Sequence, residues 1–279
     1  MLFALHSLVF SHPRDLLSQS ILREVRELGY SAVELIPIDY DRDDVKRLKG
    51  LCREIGLEIM IGWSLSAEHH LADPELCAAG VAQLKELVDL AAEVEAPILA
   101  GVNYAGCGYL TGRPPSEAEL ERAANAYREV ADYALARTPT VLCLEPATRH
   151  DSHLINTARQ ALRFCDVVDR SNVGLLLDTF QMLREENSVG GAIREASGRI
   201  GYFHVSESHR GTPGTGTVPW SEVGQALHDV EYDGWIGVEA FFDVDAVVAP
   251  RAGVWRQLEK DPLTLARAAM LHMRAMFGP

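Results

Sequence analysis

Four side chains able to bind a metal or move a proton each end a short apolar run in this chain. They are Glu145 after VLCL, Asp178 after VGLLL, His204 after IGYF and Glu239 after GWIGV. Runs with no polar face belong to buried strands of a parallel sheet. A carboxylate at the tip of such a strand is costly to bury unless it is paired, hydrogen-bonded or bound to a metal. Any one of these tips alone is as readily a strand-end cap or a salt bridge. Four in successive units, all Glu, Asp or His, point to a metal site at the C-terminal mouth of a barrel, where enzymes of that architecture keep their chemistry. Oxygen donors with one imidazole suit Mn²⁺, Co²⁺ or Mg²⁺ better than a thiolate-seeking ion. Four protein ligands leave positions open on an octahedral ion for two neighbouring substrate oxygens, where the ion is a Lewis acid. Glu145 and Glu239, on strands 5 and 8, stand roughly across the mouth, as a two-base proton transfer requires.

The elements that must position these tips alternate along the chain. Strands are expected at residues 2–6, 32–36, 57–62, 97–101, 141–145, 173–178, 200–204 and 235–239. Amphipathic helical patterns lie between them, for example over 13–29, 42–56, 74–94 and 116–136. Apolar residues recur there three or four apart, and several patterns end in Gly, a helix C-terminal signal. Eight strand–helix units predict an α/β fold closed as a (β/α)8 TIM barrel, one domain over residues 1–279, with the longer loops after strands 3, 4, 7 and 8. A doubly wound open sheet is the alternative, but no GxGxxG turn follows a first strand.

The composition agrees. The chain has 279 residues, is 47% hydrophobic and 24% charged, and carries a formal net charge of −14. That charge argues against a nucleic-acid partner. No apolar segment is long enough for a membrane span. The N-terminal MLFALHSLVFSHPRD has no basic leader, so no signal peptide is expected. Cys52, Cys77, Cys107, Cys143 and Cys165 form no CxxC pair. They are expected to be reduced packing residues of a cytoplasmic protein.

Longer strings carry a resemblance. LEPATRHD (144–151), LDTFQMLREENS (177–188), HVSESHRGTPGTGTVPW (204–220) and YDGWIGVEAF (232–241) resemble the D-tagatose/D-psicose 3-epimerases, the ketose 3-epimerase branch of the xylose-isomerase-like barrels. The four tips are spaced 33, 26 and 35 residues apart, as in that family. GVNYAGCGY (101–109) and VWRQL (254–258) extend the likeness over nearly the whole chain. The resemblance implies one divalent ion per chain, Mn²⁺ foremost with Co²⁺ or Mg²⁺ as substitutes, held by Glu145, Asp178, His204 and Glu239. It implies that Glu145 and Glu239 are the acid/base pair that inverts C3 of a free ketose through a cis-enediolate. It also implies a small-molecule sugar as the partner and a homodimer or homotetramer.

Arg210 matches the family arginine that contacts substrate oxygens. Asp151 stands where the family usually has glutamate, and Gln181 where it usually has histidine, so both are expected in the substrate shell. A glutamine can still donate a hydrogen bond to a ketose oxygen but cannot be charged. These departures keep other chemistries of the same barrel open: aldose–ketose isomerisation, inosose dehydration and 3-keto-glycoside cleavage. Phosphodiester hydrolysis is disfavoured by the charge balance and by the lack of further histidine ligands.

Several other residues catch the eye. Gly211–Thr217 looks like a phosphate loop but lacks the Walker lysine and spacing, so a closing loop over the sugar is the preferred reading. His69, His70, His150 and His153 fall in polar stretches and are expected at the surface or around the site rather than on the metal. His209 is left outside the metal site. His6, Phe3, Trp63 and Tyr104 either wall a sugar pocket or pack. Glu34, at the end of strand 2, either supports the site by hydrogen bonds or forms a structural ion pair.

Overall fold

The computed structural model describes residues 1–242 and 253–278. Eight parallel strands close a barrel in sequence order: β1 Leu2–His6, β2 Ala32–Leu35, β3 Glu58–Gly62, β4 Ile98–Gly101, β5 Val141–Leu144, β6 Val173–Asp178, β7 Ile200–Val205 and β8 Trp235–Val238. Each expected strand is present to within a residue or two. They hold because almost every position is buried, those facing the helices as well as those facing the axis. Parallel strands need cover on both faces, and only a continuous apolar run satisfies that.

The cover comes from α1 Gln19–Leu28, α2 Arg42–Ile55, α3 Cys77–Val94, α4 Glu117–Leu135, α5 Ala158–Val168, α6 Thr179–Glu185, α7 Val189–Glu195, α8 Trp220–Asp229 and α9 Pro262–Phe277. Capping boxes start α2 at Asp41, α4 at Ser116 and α5 at Thr157. They satisfy amide groups that the first helical turn leaves without partners. No helix among the described residues is long and apolar enough to cross a membrane.

The helical pattern over 13–29 is not one helix. A 3-10 turn at Pro13–Leu17 ends at Ser18, whose backbone is extended, before α1 begins. His12 caps the turn in a capping box with Asp15, so the segment starts twice. Residues 145–157, after β5, also form a long loop, in addition to those expected after strands 3, 4 and 7. The longer loop expected after strand 8 falls largely on residues 243–252, which lie outside the described residues.

The register places the tips at one level. Asp178 is opposite His204, and His204 is opposite Gly237. Glu145 and Glu239 lie one residue beyond their strands, but their amides still bond to the neighbouring strands, to the carbonyls of Gly101 (3.0 Å) and Val205 (3.2 Å). All four therefore meet at the C-terminal mouth.

Candidate metal and active site

The mouth holds a cavity of about 500 Å³. Glu145, Asp151, Gln181, His204, Arg210 and Glu239 all line it, as do His6 and Glu34 from the first two strands. Asp178, His204 and Glu239 each offer one ligand atom within 4.8 Å of the others. Glu145 stands beside this triad, and its pKa responds to the charges of Asp178 and Glu239.

His204 shows how the site is oriented. Its Nε2 lies 2.8 Å from Glu34 Oε2, while its Nδ1 is buried with no hydrogen-bond partner and lies 3.7 Å from Glu239 Oε2. A histidine tied at one nitrogen to a carboxylate, with the other nitrogen bare, is arranged as metal ligands are. Glu34 is itself fixed by the Tyr202 hydroxyl, which donates at 2.8 Å, and lies 3.7 Å from His6 Nε2. Gly62 makes room for it, since a Cβ there would fall 2.5 Å from Glu34 Oε1. Both readings of Glu34 hold, since its contact with His204 is at once a hydrogen bond that supports the site and a buried ion-pair contact.

Arg210 enters from the loop after β7 and supplies the cation that the carboxylates need. Its Nη1 donates to Glu239 Oε2 at 2.6 Å, Ser206 Oγ at 2.8 Å and Asp178 Oδ2 at 2.9 Å. Its guanidinium carbon lies 3.7 Å from the centre of the Phe180 ring, a cation–π contact. Asp178 Oδ1 accepts from Phe180 N at 2.8 Å, capping α6.

The two glutamates sit in opposite electrostatic environments. Burial, and then the charges of Asp178 and Glu239, raise Glu145 well above the usual carboxylate range. Burial opposes ionisation of Glu239 too, but Arg210 and His204 outweigh it and hold that carboxyl well below the range. Asp178 is raised by burial, which Arg210 only partly offsets.

Gln181 and Asp151 meet over Thr148. The amide oxygen of Gln181 accepts from Thr148 N at 2.8 Å, and its Nε2 donates to Glu145 Oε1 at 3.3 Å. Thr148 Oγ1 donates to Asp151 Oδ2 at 2.7 Å. Gln181 thus bridges the loop after β5 to the carboxyl of Glu145, a contact that spacing along the chain does not reveal.

Other residues separate clearly. Trp63 lines the cavity, whereas Tyr104 is fully buried and donates to the Ile155 carbonyl, so it packs. Phe3 belongs to the core. His70, in a polar stretch, is nonetheless buried against Tyr109, because its Nδ1 accepts from Gly106 N. His209 bonds to Gly211 N within its own loop. In the Gly211–Thr217 loop the amides of Gly211, Gly214, Thr215 and Thr217 already donate within the chain, to His209 Nδ1, the Glu207 carboxylate, the Thr212 carbonyl and Ser208 Oγ, so they are not free to cradle a phosphate.

The sequence matches the family model of the xylose isomerase-like TIM barrels over residues 22–275. The chain belongs to that family. Among xylose isomerase-like barrels it is similar to the L-ribulose 3-epimerase of Mesorhizobium japonicum, with 36% identity over 92% of this chain and 86% of the relative. It is 32% identical to the D-psicose 3-epimerase of Ruminiclostridium cellulolyticum, over 85% of this chain and 83% of that protein. The D-allulose 3-epimerase of Methylomonas sp., solved with D-allulose, superposes with a TM-score of 0.91 at 31% identity, covering 99% of this chain and 97% of its own. These three relatives are 3-epimerases of ketoses, as the motifs led us to expect.

Proposed function

We propose that this xylose isomerase-like barrel epimerises free ketoses at C3, using Glu145 and Glu239 as its acid/base pair. The observation that carries the reading is that Glu145 and Glu239 line one cavity at the barrel mouth together with His204, Gln181 and Arg210. One glutamate takes the C3 proton from one face of the sugar chain, and the other returns a proton to the opposite face of the enediolate. Asp151, Gln181 and Arg210 form the polar shell that binds and orients the ketose hydroxyls. The surrounding loops exclude water, which strengthens each of these contacts.

The donor set fits a divalent ion. Two carboxylates, Asp178 and Glu239, come together there with the imidazole of His204, whose buried Nδ1 has no hydrogen-bond partner, and Glu145 lines the same cavity. Glu145, Asp178, His204 and Glu239 would hold it. Mn²⁺ is the preferred ion, with Co²⁺ or Mg²⁺ as substitutes. When bound it supplies Lewis-acid stabilisation of negative charge developing on the sugar oxygens. We take the chain as one barrel domain over 1–279, acting in the cytoplasm as a homodimer or homotetramer.

The test is direct. Protein loaded with Mn²⁺ is incubated in D₂O with D-fructose, D-tagatose or L-ribulose. The C3 epimer should form, with deuterium at C3 of the recovered sugar. Conversion of an aldose, a keto-inositol or a 3-keto-glycoside, without any C3 epimer, would instead assign one of the barrel's other chemistries.

A further inference from the structure

The GTPGTGT loop is built around a carboxylate of its own chain. Glu207 is fully buried, with 0% exposure. Its Oε1 accepts from Ser208 N at 2.7 Å and Val218 N at 3.2 Å, and its Oε2 from Gly214 N at 2.9 Å and Trp220 Nε1 at 3.1 Å. Four N–H donors converging on one anion make the kind of nest that elsewhere binds phosphate. Gly216 completes it, since a side chain there would run into the Glu207 carboxylate.

The same turn carries Arg210. Arg210 N donates to Glu207 O at 2.8 Å, and Arg210 O accepts from Phe241 N at 2.7 Å. Between those two bonds Arg210 has φ +65°, in the left-handed region that a residue with a Cβ adopts only when its surroundings compel it. From there its guanidinium reaches Asp178, Ser206 and Glu239. The carboxylate and the arginine are thus the two ends of one device.

We propose that Glu207 is a positioning residue: its carboxylate replaces an external anion in the nest and thereby sets Arg210 at the catalytic carboxyls. The inference deepens the reading of Arg210 as a substrate-orienting residue and rests on it. Glu207→Gln keeps the shape but puts an NH₂ group where two N–H donors need an acceptor. A displacement of about 1 Å at a reacting centre costs on the order of 100-fold. We therefore expect kcat/KM to fall 10- to 100-fold.

The experiment is a double-mutant cycle in the Mn²⁺-loaded enzyme, with Glu207→Gln, Arg210→Gln and the pair. Residues acting as one unit are not additive. Adding Glu207→Gln to Arg210→Gln should change kcat/KM by less than twofold. An equal loss on both backgrounds would overturn the proposal, because Glu207 would then act independently of Arg210. A second readout needs no turnover. In ¹⁵N-arginine NMR of the folded protein, the Arg210 Nε–H signal, assigned by its loss in Arg210→Gln, should exchange slowly in the wild type and rapidly in Glu207→Gln. A signal unchanged by Glu207→Gln also overturns the proposal. If the wild type epimerises no ketose, this signal still decides the positioning role, so the two readings fail separately. Should Glu207→Gln not fold, Glu207→Asp, which keeps the charge, is carried through the same cycle and spectrum with the same two criteria.

Discussion

Glu34 holds His204 by Nε2 at 2.8 Å and so aims the imidazole's other nitrogen at Glu239 and Asp178. The pair links the first strands of the barrel to the last ones, 170 residues apart in the chain. With the proposed ion held by His204, Glu34 should help to set metal affinity although it is not itself one of the proposed ligands. Glu34→Gln should weaken Mn²⁺ binding 10- to 100-fold, the usual cost of losing such support. Calorimetric titration of metal-stripped protein gives the answer, and an unchanged dissociation constant would leave Glu34 a purely structural partner of Tyr202.

Chelation should abolish activity, and Mn²⁺ or Co²⁺ should restore it. Asp178→Asn and His204→Ala should each prevent the restoration at metal concentrations that saturate the wild type, because each removes a donor from the cluster. Full activity in protein shown by elemental analysis to contain no metal would exclude the metal reading altogether.

Glu145→Gln and Glu239→Gln should each lower kcat by at least about 10²-fold, the lower range for a general acid or base. Their metal affinities should differ less than their turnover does. Each variant retains one working carboxyl, so exchange of the C3 proton with solvent in one epimer only is a further signature. Turnover within tenfold of wild type in either variant is incompatible with a two-base mechanism.

Gln181 should govern which ketose is preferred. Gln181→His should reorder kcat/KM among D-fructose, D-tagatose and L-ribulose more than it shifts metal affinity, because specificity follows which buried polar groups find partners. Gln181→Ala leaves Thr148 N and one Glu145 oxygen without their present partner. The cost is about 1–3 kcal/mol for such a group. Identical kcat/KM values for every ketose in Gln181→Ala would mean that the residue only braces the loop.

Stability at low pH should depend on Glu207. Burial alone would raise its carboxyl, but the N–H donors led by Ser208 and Trp220 lower it from 4.5 to about 2. A group with a depressed folded pKa stabilises the fold above its unfolded value and loses that contribution as pH falls towards the folded one. The wild type should therefore lose stability between about pH 5 and pH 2, and Glu207→Gln should lose less over that window. Parallel curves of unfolding midpoint against pH for the two proteins would contradict this.

Much of this molecule was legible in the chain. Parallel strands buried on both faces must be continuous apolar runs, so VLCL, VGLLL and IGYF declared themselves. A polar residue ending such a run stands out, so Glu145, Asp178, His204 and Glu239 could be named from sequence. The longer strings then pointed to the epimerase branch, and similar proteins include ketose 3-epimerases. What the chain could not display is pairing between distant residues. Glu34 was as readily a structural ion pair as a support of the site, because only the closure of β1 and β2 onto β8 and β7 brings it to His204. Glu207 carried no periodic signal, because its partners are backbone amides that converge only when the loop has folded around it. Arg210 was expected at a sugar, yet in the folded chain its charge lies first on Asp178 and Glu239. Residue type and strand periodicity are local and survive in one dimension. The field at a carboxyl depends on which charges the barrel's closure sets within a few ångströms, and only the tertiary structure decides that.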